Sequence, residues 1–589
     1  MNHTFHIPVL GLGYSIDTPL KVARYGISSV VSIVDDELTE RMRKYHEEQT
    51  AGTFTWIDKK AADSRARRIT AYLNLLDTQV KDQFRALKAT SFEEGTDLNH
   101  YFELLPEHSP LKQRHQEMKS LSAGPEKTAA QAELLLAMSP GAIDVNIMSK
   151  VDKVNYNDNH ESKGDDFTDA LAAMRGFTNS TLNSSVIISA GLNPRLYAYM
   201  EKCSAFYPDQ NGTFAKKIIL KVSDFRSALI QAKMLAKKGL WVTEFRVESG
   251  LNCGGHAFAT EGFLLGPILE DFKQKRKELA EELYQMYVNA LKGKEMEEIA
   301  LPEQRITAQG GIGTAEEHQF LLNYYELDAA GWGSPFLLVP EATNVDEETL
   351  NHLATAASDD YYLSNSSPLG VLFNNFKKST AEEQRLQRIE KGRPGSPCTK
   401  KFLCTNTEFT TEPICTASRA YQNLKIKQLQ AQQLEEDNYK RQFEAITEKV
   451  CLCEGLCAST YMKVGILKPR ENKAVSICPG PNLAFFQGKY SLKEMINHIY
   501  GRENLLANVS RPNLFVNELN LYVDYLKKDI ANQLEEITAK KDKYFHKFKM
   551  QLLDGIAYYR ALIPELKFQD SLSVEEMLKQ LLIAEKSLD

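Results

Sequence analysis

His256 closes the segment GLNCGGH, Gly250 to His256, just after an apolar, β-branched run at Val242 to Glu248. An imidazole carried there on two glycines can be aimed from the end of a strand. Its ordinary pKa of about 6.5 suits it to take or return a proton near neutrality. The plainer reading is a buried histidine bonded to backbone. A second stretch with chemical content runs from Arg305 to Pro340, RITAQGGIGTAEEHQFLLNYYELDAAGWGSPFLLVP. A short strand breaks at Gly310, Gly311 and Gly313, and Thr314, Glu316 and Glu317 then open an amphipathic helix. Leu327 to Ala330 repeats the strand, followed by Gly331, Gly333 and Ser334. Glycines let backbone N–H groups approach phosphate oxygens, and a helix N-terminus adds favourable partial charge. Two such turns in succession point to a phosphorylated cofactor.

Positioning these groups requires a strand-rich frame. Further candidate strands are Ile7 to Leu12, Ser28 to Val34, Ile143 to Met148, Val186 to Ala190 and Lys217 to Val222. With the three above they make eight, and helical periodicity follows most of them, as in Phe225 to Lys238. The expected fold is an α/β (β/α)8 TIM barrel, in which phosphate is often held by the loops after strands seven and eight. An open doubly wound sheet is the alternative, but no strand carries a GxGxxG fingerprint with an acidic residue some twenty positions on. The expected organisation is residues 1–34 as the first part of the barrel, 35–140 as a large helical insertion, 141–345 as the rest of the barrel, 346–420 as an irregular cysteine-containing segment, and 421–589 as a mainly helical C-terminal domain. The insertion leaves the carboxyl end of the second strand, which suggests a lid over the mouth or a dimer contact.

At 589 residues the chain exceeds one barrel, and its formal charge of −7 gives no broad basic field, so a nucleic-acid partner is not expected. No apolar run reaches membrane-spanning length, and the first residues enter a strand without the regions of a signal peptide. Cytoplasmic residence is expected, with the nine cysteines as thiols or metal ligands before disulfides.

Several motifs, taken in order, resemble those of nitronate monooxygenases, formerly 2-nitropropane dioxygenases, which are FMN-binding barrels. GLNCGGH is similar to that family's G-x-E-A-G-G-H segment, ILKVSD at Ile219 to Asp224 to its strand-five lysine motif, DVNIM at Asp144 to Met148 to its third strand, and IPVLGLG at Ile7 to Gly13 to its opening flavin loop. The resemblance covers about half the chain and extends to the fatty-acid-synthase-associated enoyl reductases of the same superfamily. It implies an FMN-dependent oxidoreductase acting on a small organic molecule. Backbone of Gly11, Leu12, Gly13 and Gly255 would contact the flavin, Asn146 its pyrimidine edge, and Gly310, Gly311, Gly331, Gly333 and Ser334 its phosphate. Lys221, with Lys150 as the weaker candidate, would supply positive charge near the ring, and His256 the acid or base. Asn252 and Cys253 stand where the family has Glu-Ala, a departure at the substrate side. Monooxygenase and enoyl-reductase chemistry therefore both stay open, the latter with a transient NAD(P)H donor, beside a non-catalytic flavin-binding scaffold. Glutamate synthases pair a related FMN barrel with an iron–sulfur cluster. Here Cys451, Cys453, Cys457 and Cys478, with Cys398, Cys404 and Cys415, have spacings unlike the familiar ferredoxin or zinc patterns. A cluster is the less favoured reading, and no metal site is assigned.

Overall fold

Eight short runs close into a parallel barrel in the computed structural model, which describes residues 2–50, 52–149, 152–157, 159, 161–189, 191–531, 539–566 and 571–588. The strands are β1 Phe5–Ile7, β2 Ser28–Ser32, β3 Ile143–Asn146, β4 Ser184–Ile188, β5 Lys216–Val222, β6 Val242–Glu248, β7 Arg305–Gln309 and β8 Ala329–Gly331. β8 returns to β1 in the register Phe5↔Ala330 and His6↔Gly331. Ile7, Val145, Ile188, Leu220, Phe245 and Val247 have no exposed surface, as expected of strands covered on both sides. The first strand lies earlier than the run Ile7 to Leu12. Pro8 has no N–H to give to a ladder, and Gly11 adopts φ +57, so Gly11, Leu12 and Gly13 belong to the turn beyond the strand.

Alternation along β6 places Glu244, Arg246 and Glu248 on one face, the barrel interior. Arg246, 2% exposed, donates to Glu244 at 2.8 Å and to Asp144 of β3 at 3.2 Å, and Thr307 of β7 donates to Glu244 at 2.7 Å. Burial opposes the guanidinium charge, and the two carboxylates more than offset it. Beside this ionic layer Val30, Ile187 and Ile219 form a small apolar cluster, separate from the main core.

The insertion carries helices Asp36–Gln49, Ser64–Lys88, Asp97–Leu104, Pro110–Ser120 and Pro125–Ala137. It does not cap the mouth as its point of departure suggested. The Ser64–Lys88 helix takes a place in the outer ring beside helix Asp169–Thr178. There Gly176 is required, because a Cβ would lie 2.8 Å from the Ala66 carbonyl oxygen. Helix Asp97–Leu104 lies at the amino end, where Tyr101 donates to the Ser139 carbonyl just before β3. Among the insertion's helices, Asp36–Gln49 flanks the carboxyl end.

The mouth is covered instead from the C-terminal region, whose helices include Leu452–Lys463, Leu492–Ile499, Leu514–Ala531 and Ala539–Leu562. Buried residues of the barrel, of the insertion (Tyr72, Leu76) and of these helices (Leu456, Phe515, Tyr559) share one contiguous core. The segment expected to be irregular contains an antiparallel hairpin, β9 Tyr361–Ser364 and β10 Phe373–Phe376. Among the described residues, no helix is long and apolar enough to cross a membrane.

His318 ties β8 to this frame. The Trp332 indole N–H donates to its Nδ1 at 3.2 Å, and Thr4 lies 2.9 Å from Nε2. The tautomer is therefore the neutral one with the proton on Nε2, and burial lowers the pKa to about 4. Because the folded pKa lies below the unfolded value, this contribution is present above pH 6.5 and is lost as pH falls toward 4. His318→Gln keeps both hydrogen bonds without titrating. In urea unfolding at pH 7 and pH 5, the variant is expected to lose about 2 kcal/mol less stability than the native chain. Equal losses would remove His318 as the acid-sensitive group.

Candidate active site

Asn146, Lys221, Glu248 and Gln309 end β3, β5, β6 and β7 and face the carboxyl end of the interior. Lys221 pairs with Glu248 at 2.9 Å, and the two side chains retain 24% and 21% exposure although they stand inside the barrel. They face an opening. Burial pulls the ammonium down, but the Glu248 carboxylate outweighs it and raises the Lys221 pKa, so the lysine stays protonated. Gln309 donates to the other Glu248 oxygen at 3.1 Å. Gln309 Oε1 and His6 Nε2 are buried there without hydrogen-bond partners. Burial, with Glu248 nearby, pushes the Cys253 thiol well up, so it is a neutral wall of the site.

The glycine-rich loops lie at the same end. Gly310 and Gly311 have φ of +113 and +79, and a Cβ on Gly311 would lie 1.9 Å from the Asn252 side chain. Only glycine fits this approach of the β7 loop to the β6 loop. Gly313 donates its N–H to Glu317 at 2.8 Å. The loop carbonyls are also engaged: Gly311 by Arg511, Ile312 by Asn482 at 2.9 Å, and Gly313 by His498 at 2.8 Å. Among the described residues, the amides of Gly311 and Gly333 have no acceptor. A Cβ on Gly333 would rest in ordinary contact with Leu10 at 3.7 Å, and one on Gly255 would meet nothing within 4 Å. Gly331 packs tightly on Gln309 and His6. Ser334 accepts from the Gly480 N–H at 2.8 Å, and Gly13 donates to the Leu456 carbonyl at 3.2 Å.

His256 is drawn toward the hairpin. Its Nε2 lies 2.8 Å from the Ser367 hydroxyl, and its ring meets Phe373 edge-on at 5.0 Å. The backbone is held with it, since Asn374 donates to Gly255 at 2.9 Å. Beneath the same loop, Glu518 accepts from Ser249 at 2.5 Å and from the Leu265 N–H at 2.7 Å. Lys150 lies outside the described residues.

The structure thus gathers Asn146, Lys221, Gly255, Gly310, Gly311, Gly331, Gly333 and Ser334 at one end of the barrel. Sequence reasoning missed Glu248, Gln309, Glu317 and Arg511. The signal for Glu248 was present, because a buried strand with charges at every second position, VTEFRVE, must direct them inward. Arg511 gave none, being two hundred residues from the loop it serves. Among the cysteines, Cys398 and Cys404 sulfurs lie 3.8 Å apart and Cys457 meets Asp35 at 3.5 Å. No group of three or more potential ligands is arranged to hold a metal ion among the described residues.

No protein-family model matches the chain, and no curated protein does. Among solved structures, it is similar to a FabK mutant from Thermotoga maritima (12% identity, TM-score 0.30, covering 64% of this chain and 80% of that one). It is also similar to the enoyl reductase domain of MlnA from the macrolactin cluster of Bacillus amyloliquefaciens (15%, 0.29, 73% and 94%). A third is a nitroalkane oxidase from Streptomyces ansochromogenes (11%, 0.30, 85% and 95%). Likeness at these values carries no conclusion about activity.

Arg511 pairs with Glu317 at 2.7 Å, the two side chains being 5% and 4% exposed. Arg511→Ala leaves that carboxylate buried without its cation. A loss of about 3–5 kcal/mol in urea unfolding is expected. A loss below about 1 kcal/mol would show that the loop does not depend on this pair.

Proposed function

We propose that the chain is an FMN-dependent oxidoreductase acting on a small organic substrate at the carboxyl end of its barrel. The observation that carries this reading is the presence, at the same end of the barrel, of two acceptor-free loop amides, Gly311 and Gly333, and a lysine held protonated inside the barrel. The donor set fits the group. The two amides can receive a phosphate, and Gly313 is excluded because Glu317 already takes its N–H. Lys221 offers positive charge, while Asn146 and Gln309 offer amide groups to a ring with both donors and acceptors.

A bound flavin supplies two-electron redox chemistry. Lys221, kept charged by Glu248, favours negative charge developing beside it. His256, close to the Ser367 hydroxyl, is the candidate to give or take the proton that accompanies reduction of the substrate. The segment at Cys478 to Gly480 closes the mouth by bridging the β6 and β8 loops. Cys478 accepts the Gly255 N–H at 3.0 Å, and Gly480 donates to Ser334. A nicotinamide donor, where one is used, would bind transiently at the same face.

Protein purified without oxygen is expected to show the twin absorption bands of a flavin, with FMN released on denaturation and identified by mass. Lys221→Met is expected to keep the barrel folded and to lower the midpoint potential of the bound flavin by on the order of 30 mV, equivalent to about 1.4 kcal/mol for two electrons. A colourless protein that cannot be reconstituted with FMN would overturn the reading. An unchanged potential would remove Lys221 from it.

A further inference from the structure

A cleft of about 890 Å³ opens at the carboxyl end, outside the barrel mouth. It lies between the starts of helices Asp36–Gln49 and Ser64–Lys88, the connection after β3, residues 397–402, and helix Leu452–Lys463. That helix separates it from the mouth. Leu456 and Thr460 contact the glycines of the β1 loop, whereas Glu454, Ala458 and Tyr461, spaced for the opposite face, line the cleft.

The charges around the cleft do not balance locally. All its carboxylates but Glu454 meet a cation. Asp36 binds Arg65 and Arg68 at 2.9 and 3.0 Å, Glu37 binds Arg41 at 2.9 Å, and Asp63 binds Arg175 at 2.5 Å. Asp169 lies 3.9 Å from Arg65 and accepts from Asn155 at 2.8 Å, Glu471 is paired with Arg41, and Glu454, which accepts from the neutral Thr399 hydroxyl, keeps its charge. Lys400 is neutralised by Asp35. Five lining cations, Lys59, Lys153, Lys163, Arg388 and Arg470, have no carboxylate within ion-pairing distance among the described residues, Glu454 being the carboxylate that favours the Arg388 charge from further off. Lys163 is held in place, its N–H donating to the Asn155 carbonyl at 2.9 Å across an antiparallel loop. Arg388 is half-buried, and both its burial and the adjacent Arg419 guanidinium work against its charge. The Arg419 Nε is itself buried without a partner. Five cations without a direct ion pair, set against the single unpaired carboxylate of Glu454, line one concavity and mark a site for a multiply charged anion. The remaining wall is apolar, with Phe402, Leu467, Ala172 and Ala458, and the volume lies within the range of small-molecule sites.

We propose that this cleft binds an organic polyphosphate, an ADP-type moiety, whose phosphates meet Arg388, Arg470 and the three lysines while its organic part lies on the Phe402 side. This is a second site, independent of the redox reading of the mouth. Free nucleotide and the ADP portion of coenzyme A share the required chemistry.

Equilibrium dialysis of the full chain against ADP, coenzyme A and inorganic pyrophosphate tests the proposal. Saturable binding of ADP or coenzyme A at one per chain is expected, weakened tenfold or more by Arg388→Ala with Arg470→Ala and unaffected by Lys221→Met. The tighter of the two organic ligands tells whether the cleft takes free nucleotide or the coenzyme handle. Lys163→Ala, on an exposed loop, should weaken binding in the same direction with an unchanged circular dichroism spectrum, which separates loss of the site from loss of fold. No binding of either organic ligand would overturn the proposal. Pyrophosphate binding as tightly as ADP, or loss of binding on Lys221→Met but not on the arginine pair, would overturn it too.

Discussion

Glu317 is the point on which the two parts of the molecule meet. One carboxylate oxygen accepts the N–H of Gly313 at 2.8 Å, and the other accepts the Leu514 N–H at 2.7 Å and the Arg511 guanidinium at 2.7 Å. A carboxylate 4% exposed must be fully satisfied by partners within the fold, and its partners come from two distant pieces of chain, the β7 loop and residues 511–514. The shape of the β7 loop and the docking of the last hundred residues are thus one problem with one solution. Arg511 completes it by spanning from Glu317 to the Gly311 carbonyl and, through Nε at 2.8 Å, to Asn482. This engagement takes the Gly311 carbonyl and leaves its N–H without an acceptor, while the nearby Gly313 amide is used internally.

Inside the barrel the same logic operates with charges of both signs. Arg246 between Glu244 and Asp144 fixes the middle layer, and Lys221 with Glu248 forms the layer above it. Buried pairs of this kind add little net stability compared with an apolar filling. They do hold side chains in one orientation, because any rotamer change strands a charge in a low-dielectric interior. A polar floor of fixed geometry suits the redox chemistry proposed for the mouth.

Much of the frame was legible in the sequence. Eight apolar runs, their helical followers and the glycine turns are local signals, and they locate all eight strands and the mouth. The reading of Ile7 to Leu12 set β1 too late, since the strand is Phe5–Ile7 and ends before Pro8, which has no N–H for a ladder. The places where reading fell short are those set by distant contacts. Nothing in LTERMRKYHEEQ says that the following helix joins the outer ring, which depends on Gly176 a hundred residues away. The packing of the hairpin at Phe373 against His256 has no signal near Gly250 to His256 in the sequence. The cover over the mouth arrives from residues 452–518, where helical periodicity is visible but its partner surface is not.

Helix Leu452–Lys463 has no solvent-facing side in its middle: one flank touches the β1 loop through Leu456 and Thr460, and the other forms a wall of the cationic cleft through Glu454, Ala458 and Tyr461. A partition this thin is also a coupling element. A rigid helix passes any displacement at one flank to the other, so whatever alters its position is felt in both chambers. Such linkage runs equally in both directions, since the free energy by which one occupant changes the affinity of the other is the same whichever arrives first.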